Sequence, residues 1–507
     1  MRSRHRGARR ARSLLPLAAA ILALSGTPVF AQQASTFDSL LEKLKDKGVL
    51  SPEEYEALKQ ARDEEITEQR AERRRQALRQ AQENEQKQKA QETEAKATKF
   101  DVSPDIRSMQ LFGDIRLRYE SRSGDQDAGT SRATGGVTTA TGQTVDRWRY
   151  AVRIGLRGDL TEKWYYGLRL ETNTNPRSTW VTFGGESTSS TQKVPFAKDQ
   201  DTINVGWAYM GYKPTSWLDL TAGKMPNPMF TIRAGGVGMV WDPDINPEGL
   251  AEKLSFALND RWTIFGNLGQ FVYADVATDS TSNNLGFSSE DAYMLAWQGG
   301  VNWKFAPDSA AKLGLTWYNY QGNLATGSLT TLTSLGGPFS GQPGGNQIGI
   351  NNLSVLDVPL ELTFPLFHLP WTFSADWAMN MDNSARAAAA GQGAYGNQNK
   401  AWLLGLKAGG LKKKGDWEAG VYYAHMEQFA LDPNLVDSDF FDARLNMQGW
   451  WVAGSYNITN AIFTTLRYGQ ATLINSSLGT GGTPDSLGGL NPLDNYKLLQ
   501  VDLGFRF

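Results

Sequence analysis

One segment, from Asp146 to Glu171, constrains the fold more than any other part of the chain. Between residues 147 and 157, large apolar side chains take alternate positions and four arginines take positions between them. Because successive side chains of a strand point to opposite faces, this strand has one apolar face and one cationic face. After a turn at residues 158–162 the alternation resumes. Lipid on one side and a water-filled lumen on the other account for both faces, so the hairpin predicts a membrane β-barrel.

Composition agrees with a barrel and excludes several other classes. The chain has 507 residues with 52 glycines, 11% aromatic residues and a mean hydropathy of −0.43, as expected where half of each strand faces water. A net charge of −2 gives no indication of nucleic-acid binding, and the absence of cysteine excludes disulfides and thiolate sites. Beyond the N-terminus no apolar run approaches the roughly 20 residues of a membrane-spanning helix.

The first 31 residues have the pattern of a cleaved export signal. An apolar stretch, residues 14–25, follows a basic region, and Val29-Phe30-Ala31 is typical of a cleavage site. The basic region contains Arg2, Arg4, Arg6, Arg9, Arg10 and Arg12. We therefore expect the mature chain to leave the cytoplasm.

Residues 32–100 have a helical pattern that differs from everything after them. Leu40, Leu41 and Leu44 predict a short amphipathic helix that ends at Gly48. Ser51-Pro52-Glu53-Glu54 has the residues of a helix start. The charged stretch that follows is either a weak coiled coil that assists oligomerisation or a solvated helix in the periplasm.

From residue 108 to the C-terminus the pattern is one of strands separated alternately by short turns and long polar loops. About sixteen strands are predicted, and together they form an antiparallel transmembrane β-barrel. An even number places both ends of the barrel beside the short turns, on the periplasmic side. The predicted strands lie near residues 111–120, 147–157, 165–171, 205–209, 218–224, 250–258, 261–272, 291–304, 311–321, 350–365, 370–380, 399–409, 414–427, 447–457, 460–470 and 495–507.

Aromatic residues mark the expected membrane interface. Five tryptophans each follow a predicted short turn, as in the aromatic girdle of outer-membrane barrels: Trp164, Trp217, Trp262, Trp371 and Trp417. The last strand alternates cleanly and ends at Phe507. This terminal phenylalanine resembles the assembly signal of outer-membrane barrels.

Several segments resemble the family described as putative porins of Gram-negative outer membranes. Residues 40–54 are similar to the helical region that precedes the barrel in that family, and residues 113–120 are similar to its first strand. The second and third strands resemble residues 147–157 and 167–170, and further likeness lies in 208–209, 222–224 and 241–249. The resemblance covers residues 37–258. It implies a trimeric diffusion channel and does not indicate which solute passes.

Charged residues of opposite sign predict a constriction. Arginines of the first three strands form one wall of the lumen: Arg116, Arg118, Arg147, Arg149, Arg153, Arg157 and Arg169. The loop of residues 225–249 carries Asp242, Asp244 and Glu248. We hypothesise that this loop folds into the lumen and faces the arginines, which would create a transverse field. The alternative is that the arginines pair with Asp114, Glu171 or lipopolysaccharide and only satisfy the wall.

The expected function is therefore an outer-membrane porin for passive diffusion of ions and small hydrophilic solutes. A plugged structural or adhesive barrel is the alternative, and ion flow distinguishes the two. An outer-membrane hydrolase is not expected, because the sequence has neither a G-x-S-x-G nor an H-E-x-x-H motif. His425 and Glu427 could form a base pair, but their spacing of two residues on one strand is common by chance. No metal or cofactor is expected. The expected partners are solutes, outer-membrane lipid and lipopolysaccharide, and further copies of the chain in a homotrimer.

Overall fold

The structure of the chain is a computed structural model, and it describes two units. The first unit ends at Val102 and the second begins at Ser103. The described residues are 39–49, 51–61, 63, 64, 67, 68, 71, 72, 76, 103–130, 137–138, 140–172, 178–184, 202–274, 292–321, 352–480 and 485–507. The expected signal peptide and most of the charged stretch after residue 61 lie outside them.

Two helices occupy the described part of the first unit, as predicted. Residues 39–46 are helical, and Gly48 follows with a φ of +70°, a conformation that favours glycine. The second helix begins after Ser51, whose hydroxyl accepts a hydrogen bond from the Glu54 N–H while the Glu54 carboxylate accepts one from the Ser51 N–H. These reciprocal bonds lower the pKa of Glu54. No helix among the described residues is long and apolar enough to cross a membrane.

The second unit is a closed antiparallel barrel of sixteen strands, which confirms the predicted number. β1 pairs with β2 on one side and with the last strand, β16, on the other, and every other strand pairs with its neighbours in the chain. The strands are β1 (Gln110–Gln126), β2 (Thr141–Asp159), β3 (Trp164–Thr172), β4 (Ile203–Tyr212), β5 (Leu218–Lys224), β6 (Glu248–Ala257), β7 (Trp262–Ala274), β8 (Ala292–Ala306), β9 (Ser309–Gln321), β10 (Ser354–Leu366), β11 (Leu369–Asn380), β12 (Lys400–Gly409), β13 (Trp417–Met426), β14 (Met447–Asn457), β15 (Ile462–Leu473) and β16 (Asn495–Arg506).

The period-two alternation of the sequence decides which side chains face outward. On β1, Ile115 and Leu117 are exposed on the outer face, whereas Arg118 is only 2% exposed on the inner face. On β2, Trp148 and Ile154 are exposed outside and Arg149 is buried inside. This is the arrangement predicted from the opening hairpin.

β1 and β2 extend well beyond their predicted ends. The predicted loop of residues 121–145 is shorter in the structure, because the two strands stay paired as far as Gln126 and Thr141. Ser121, Ser123 and Gly124 interrupt the apolar alternation, which made this part resemble a loop. The inner side chains of this extended part nevertheless contact other loops. These contacts allow the two strands to continue although their outer face is not apolar.

Tryptophans surround the end of the barrel that carries the short turns. Trp164, Trp217, Trp262 and Trp417 are exposed on the outer face next to these turns. Trp164 stacks on Tyr212 at 4.7 Å and Trp262 on Trp303 at 5.1 Å between ring centroids. This belt is the predicted aromatic girdle.

Long loops fold into the barrel and form a core with its inner wall. The β5–β6 loop (residues 225–247) and the β13–β14 loop (residues 427–446) supply much of this core. Trp241 contacts Tyr318 of β9, and Phe440 contacts Trp451 of β14. A short helix, Asn383–Ala389, follows β11 and packs beside Phe429.

Candidate functional site

The seven arginines of the predicted wall all lie on the inner face of β1, β2 and β3, and six of them lie beside acidic residues. The register places Asp114 opposite Arg153 and Glu120 opposite Arg147. Arg153 is also opposite Glu171 of β3. Cation and carboxylate are therefore neighbours across the sheet, in the positions where side chains of adjacent strands interact.

Glu120 is the centre of a buried charge cluster that holds loops against β1 and β2. Its carboxylate oxygens accept hydrogen bonds from Arg147 at 2.7 Å, Arg122 at 3.1 Å and Gln500 at 2.7 Å. Arg147 also bonds Asp485 of the β15–β16 loop at 2.6 Å. Arg149 lies 3.5 Å from Glu120. We call Glu120 and the side chains it contacts the Glu120 cluster.

Arg118 joins the wall to the β13–β14 loop. It donates two parallel hydrogen bonds to Asp502 of β16, at 2.6 and 2.8 Å, and one to Asp439 at 2.8 Å. Burial alone would raise the pKa of Asp439, but Arg118 and Arg467 hold it well below its usual range. Asp439 is therefore an ionised anchor for the loop.

A second group of charges lies further toward the end of the barrel that carries the short turns. Asp114 accepts hydrogen bonds at 2.8 Å from both Arg116 and Arg153. Arg153 is also 3.4 Å from Asp244 of the β5–β6 loop. Arg169 is 2.7 Å from Glu171. The alternative interpretation, in which the arginines only satisfy the wall, expected pairs with Asp114 and Glu171, and the structure contains both.

Two tryptophans pack flat against arginines of the wall. Trp180, from the loop after β3, has the guanidinium of Arg118 4.0 Å and that of Arg116 5.1 Å from its ring centroid. Trp207 of β4 has Arg169 at 4.1 Å. Residues 181–182 form a short strand that pairs with residues 149–150 of β2. This pairing places Trp180 inside the barrel. Stacking of this kind orients a guanidinium and leaves its edge free to donate.

The three acidic residues of the β5–β6 segment go to three different places. Asp244 lies beside Arg153, as hypothesised. Asp242 is 3% exposed and points into the β13–β14 loop, where it accepts a hydrogen bond from the Ser438 N–H at 3.1 Å. Glu248 begins β6 and pairs with Lys224 at 2.9 Å. It shares its face with the exposed Leu250, so it lies on the outer surface rather than in the lumen.

The tip of the β5–β6 loop contacts the opposite wall. Residues 233–234 and 237–238 form a small hairpin whose turn residues, Gly235 and Gly236, have φ values of +61° and +93°. A Cβ on Gly235 would lie 2.8 Å from Ala453 and from Tyr422, so only glycine fits without movement. Arg467 donates to the Gly235 carbonyl at 2.7 Å, and Trp451 donates to the Ala234 carbonyl at 3.0 Å.

A cavity of about 350 Å³ remains between the arginine wall, the two loops and the inner faces of β12–β16. Six of the ten residues proposed for the constriction line it: Arg116, Arg118, Arg153, Arg169, Asp242 and Asp244. Arg147 and Arg149 belong to the Glu120 cluster instead. Arg157 donates a hydrogen bond to Gln110 at 3.0 Å and lies over the Phe112 ring, near the end of the barrel that carries the short turns. The pore-lining role of the six stays a prediction.

One buried carboxylate, Asp437, joins the two loops and predicts a pH dependence. Asp437 accepts a hydrogen bond from the Gly238 N–H at 2.8 Å, and burial together with Asp439 raises the pKa of Asp437 to about 7. An unfolded aspartate ionises near pH 4, so the contact between the loops is strongest below about pH 4 and weakens as the pH rises to about 7. We expect a protease to cut the loops several-fold faster at pH 8 than at pH 5, after correction with an unstructured substrate. Asp437→Asn should reduce this ratio; an unchanged ratio would contradict the role of Asp437.

Comparison with known proteins identifies the family. The family model described as "Putative porin" matches residues 71–335 and 354–507. The chain belongs to this family. No curated protein matches. Similar solved structures include OprB of Pseudomonas putida (11% identity, TM-score 0.42, 79% of this chain and 94% of that chain) and OmpF of Salmonella typhi (10% identity, TM-score 0.42, 80% of this chain and 100% of that chain).

Membership of this family, together with the closed barrel, indicates a porin-type channel in the outer membrane. His425, the one base considered for catalysis, lies on the outer face of β13, where it stacks on Trp402 at 5.7 Å between ring centroids. Its Nδ1 is 3.0 Å from Gln448 and its Nε2 is 3.7 Å from Glu427. This position is outside the cavity.

Sequence reasoning missed several residues of the site. Asp439, Asp502 and Arg467 each pair with the wall or the loops, and Trp180 covers the arginines. Asp502 and Arg467 sit at inward positions of alternating strands, which was a usable signal. Asp439 and Trp180 lie in irregular loops, where no periodicity indicates a direction.

Proposed function

We propose that this chain forms a water-filled channel through which ions and small hydrophilic solutes diffuse passively across the outer membrane. The observation that carries this proposal is the cavity inside a closed barrel, lined by charged side chains from both the wall and the inward loops. Apposed Arg153 and Asp244 supply opposite charges at its edge. Such an arrangement orients dipolar solutes and disfavours apolar ones. The N-terminal unit lies in the periplasm, after removal of residues 1–31.

The working form is a homotrimer. In it, the part of the barrel wall around β5, where the strands are shortest, contacts another copy. β5 has only 7 residues, about 20 Å of strand, and tilt reduces its height below the roughly 25 Å apolar band of such barrels. Two polar contacts lie on the outer face of β5, β6 and β7, toward the end of the barrel that carries the long loops. They join Lys224 to Glu248 and Glu252 to Gln270. Charged groups are costly against lipid, so a protein partner suits this surface better. Lipid and lipopolysaccharide surround the remaining outer face.

The first test is to record ionic current from the purified protein in a planar bilayer. We expect stable open channels that appear in groups of three equal steps, one for each barrel of a trimer. Single steps would contradict the trimer and leave the channel intact. Folding is checked separately by the change in gel mobility on heating.

A plugged barrel is the second candidate, and the inward loops favour it. They form an apolar core with the inner faces of the strands from β7 onward, so a large part of the lumen is filled. If folded protein carries no current, the barrel is plugged and the channel proposal is wrong.

A further inference from the structure

The net charge offered to a solute in the cavity follows from the pairing of the side chains that line it. Among the described residues, seven of these side chains are cationic and six are acidic. Two of the acids, Asp242 and Asp437, are buried between the loops. Burial raises the pKa of both, and Asp437, with a pKa of about 7, is only partly ionised near neutral pH.

Each of the other four acids already has a cationic partner. Asp502 and Asp439 bind Arg118, and Asp439 is also 3.3 Å from Arg467. Glu418 pairs with Lys407 at 3.1 Å. Asp244 is beside Arg153. The acidic side of the cavity therefore has little charge left for a passing cation.

The cationic side keeps unused donors. Within the described residues, Nη2 of Arg116 and Nε of Arg169 are buried without a hydrogen-bond partner. Arg169 Nη2 is 2.7 Å from the Glu171 carboxylate, so only Nε of Arg169 counts as an unused donor. Arg233, at the exposed start of the loop hairpin, makes no side-chain hydrogen bond or ion pair with the part of the chain that the structure describes. Buried donors normally have an acceptor, so these groups point to an anionic ligand.

The aromatic residues indicate what kind of anion fits. Trp180 and Trp207 hold the guanidinium groups of Arg116 and Arg169 flat, and a planar guanidinium edge matches the two oxygens of a carboxylate. The same two rings, with Tyr422 and Phe463, also line the cavity and offer apolar surface for the carbon part of a solute.

We propose that the cavity is a subsite for small organic carboxylates, which Arg116, Arg169 and Arg233 bind between Trp180 and Trp207. As a statement about transport this inference rests on the proposed channel. Binding itself does not, because a closed barrel with an accessible cavity can still bind the anion. The experiment therefore measures selectivity and binding separately.

The variants are Arg233→Gln, which removes an exposed charge of the cavity lining, and the double variant with Arg169→Gln. Arg261→Gln is the matched control, because Arg261 lies at the exposed turn before β7, outside the cavity. Reversal potentials under a potassium chloride gradient measure the preference for chloride over potassium. Calorimetric titration with sodium benzoate measures binding, and titration with sodium phosphate tests the preference for a carboxylate.

We expect the wild-type channel and the control to prefer chloride. Each removed arginine should lower the chloride-to-potassium permeability ratio about tenfold, because a unit charge roughly 6 Å away in nearly aqueous surroundings changes the occupancy of each ion about threefold, in opposite directions. Benzoate should bind the wild type at least about tenfold more tightly than the double variant, and more tightly than phosphate.

Three outcomes would overturn the subsite: a preference for potassium, an unchanged ratio in Arg233→Gln, or phosphate binding as tight as that of benzoate. Benzoate binding without current would refute the channel and retain the subsite. Current without chloride preference or benzoate binding would refute the subsite and retain the channel.

Discussion

Glu120→Gln lowers the free energy of unfolding of the barrel by about 3–5 kcal/mol, the usual cost of removing one partner from a buried ion cluster. Glu120 is fully buried, and its carboxylate faces Arg122, Arg147 and Arg149. Glutamine keeps the shape but removes the negative charge, which leaves these cations with too few counter-charges. Urea unfolding of the barrel in detergent micelles, followed by tryptophan fluorescence, measures the loss.

The control for Glu120→Gln is Glu418→Gln. Glu418 is also a glutamate of the inner face, but it pairs with a single cation, and both side chains of that pair are partly exposed to water. Its loss should cost less than about 1 kcal/mol. Equal effects of the two variants would show that the Glu120 cluster has no special structural role.

Trp451→Ala should release the inward loops and destabilise the protein by about 3–5 kcal/mol, as for other fully buried tryptophans. The Trp451 ring packs on Phe440 of the β13–β14 loop at 4.6 Å and on Tyr422 at 5.4 Å between ring centroids. Its indole N–H also holds the tip of the β5–β6 loop through the Ala234 carbonyl. One side chain therefore fixes both loops. We expect faster proteolysis within residues 225–247 and 427–446, and a larger, noisier current.

Trp450→Ala is a matched control for that variant. Trp450 precedes Trp451 on the same strand, but it is exposed on the outer face and contacts Tyr468. The same chemical change there should leave the loops protected from protease. Loop cleavage that rises equally in both variants would mean that loss of tryptophan weakens the whole barrel, and that Trp451 is not a loop anchor.

The contrast between Arg118 and Arg116 shows how much about a side chain can be predicted from the sequence alone. Alternation places both inside the barrel, and the structure agrees. Their chemistry differs because Arg118 meets Asp502 and Asp439, which lie 384 and 321 residues away in the sequence. Arg116 meets Asp114, two residues away. No local pattern distinguishes the two arginines.

Glu248 and Asp242 show the same limit within one loop. The sequence predicts an acidic loop that faces the arginines, since it contains three carboxylates. In the structure Asp244 lies beside Arg153, and Asp242 accepts a hydrogen bond from the Ser438 N–H of the β13–β14 loop. Glu248 already belongs to β6 and points outward. A loop has no repeating geometry, so the direction of each side chain depends on its contacts.

The sequence alone determined the barrel, its sixteen strands, its inner and outer faces and its aromatic girdle. These features follow from a period of two residues and from the difference between lipid and water, which act on each strand locally. The tertiary structure alone decided which arginines are held in buried pairs, which loops fill the lumen and which donors stay unused. Those outcomes depend on contacts between residues hundreds of positions apart, and no local rule encodes such contacts.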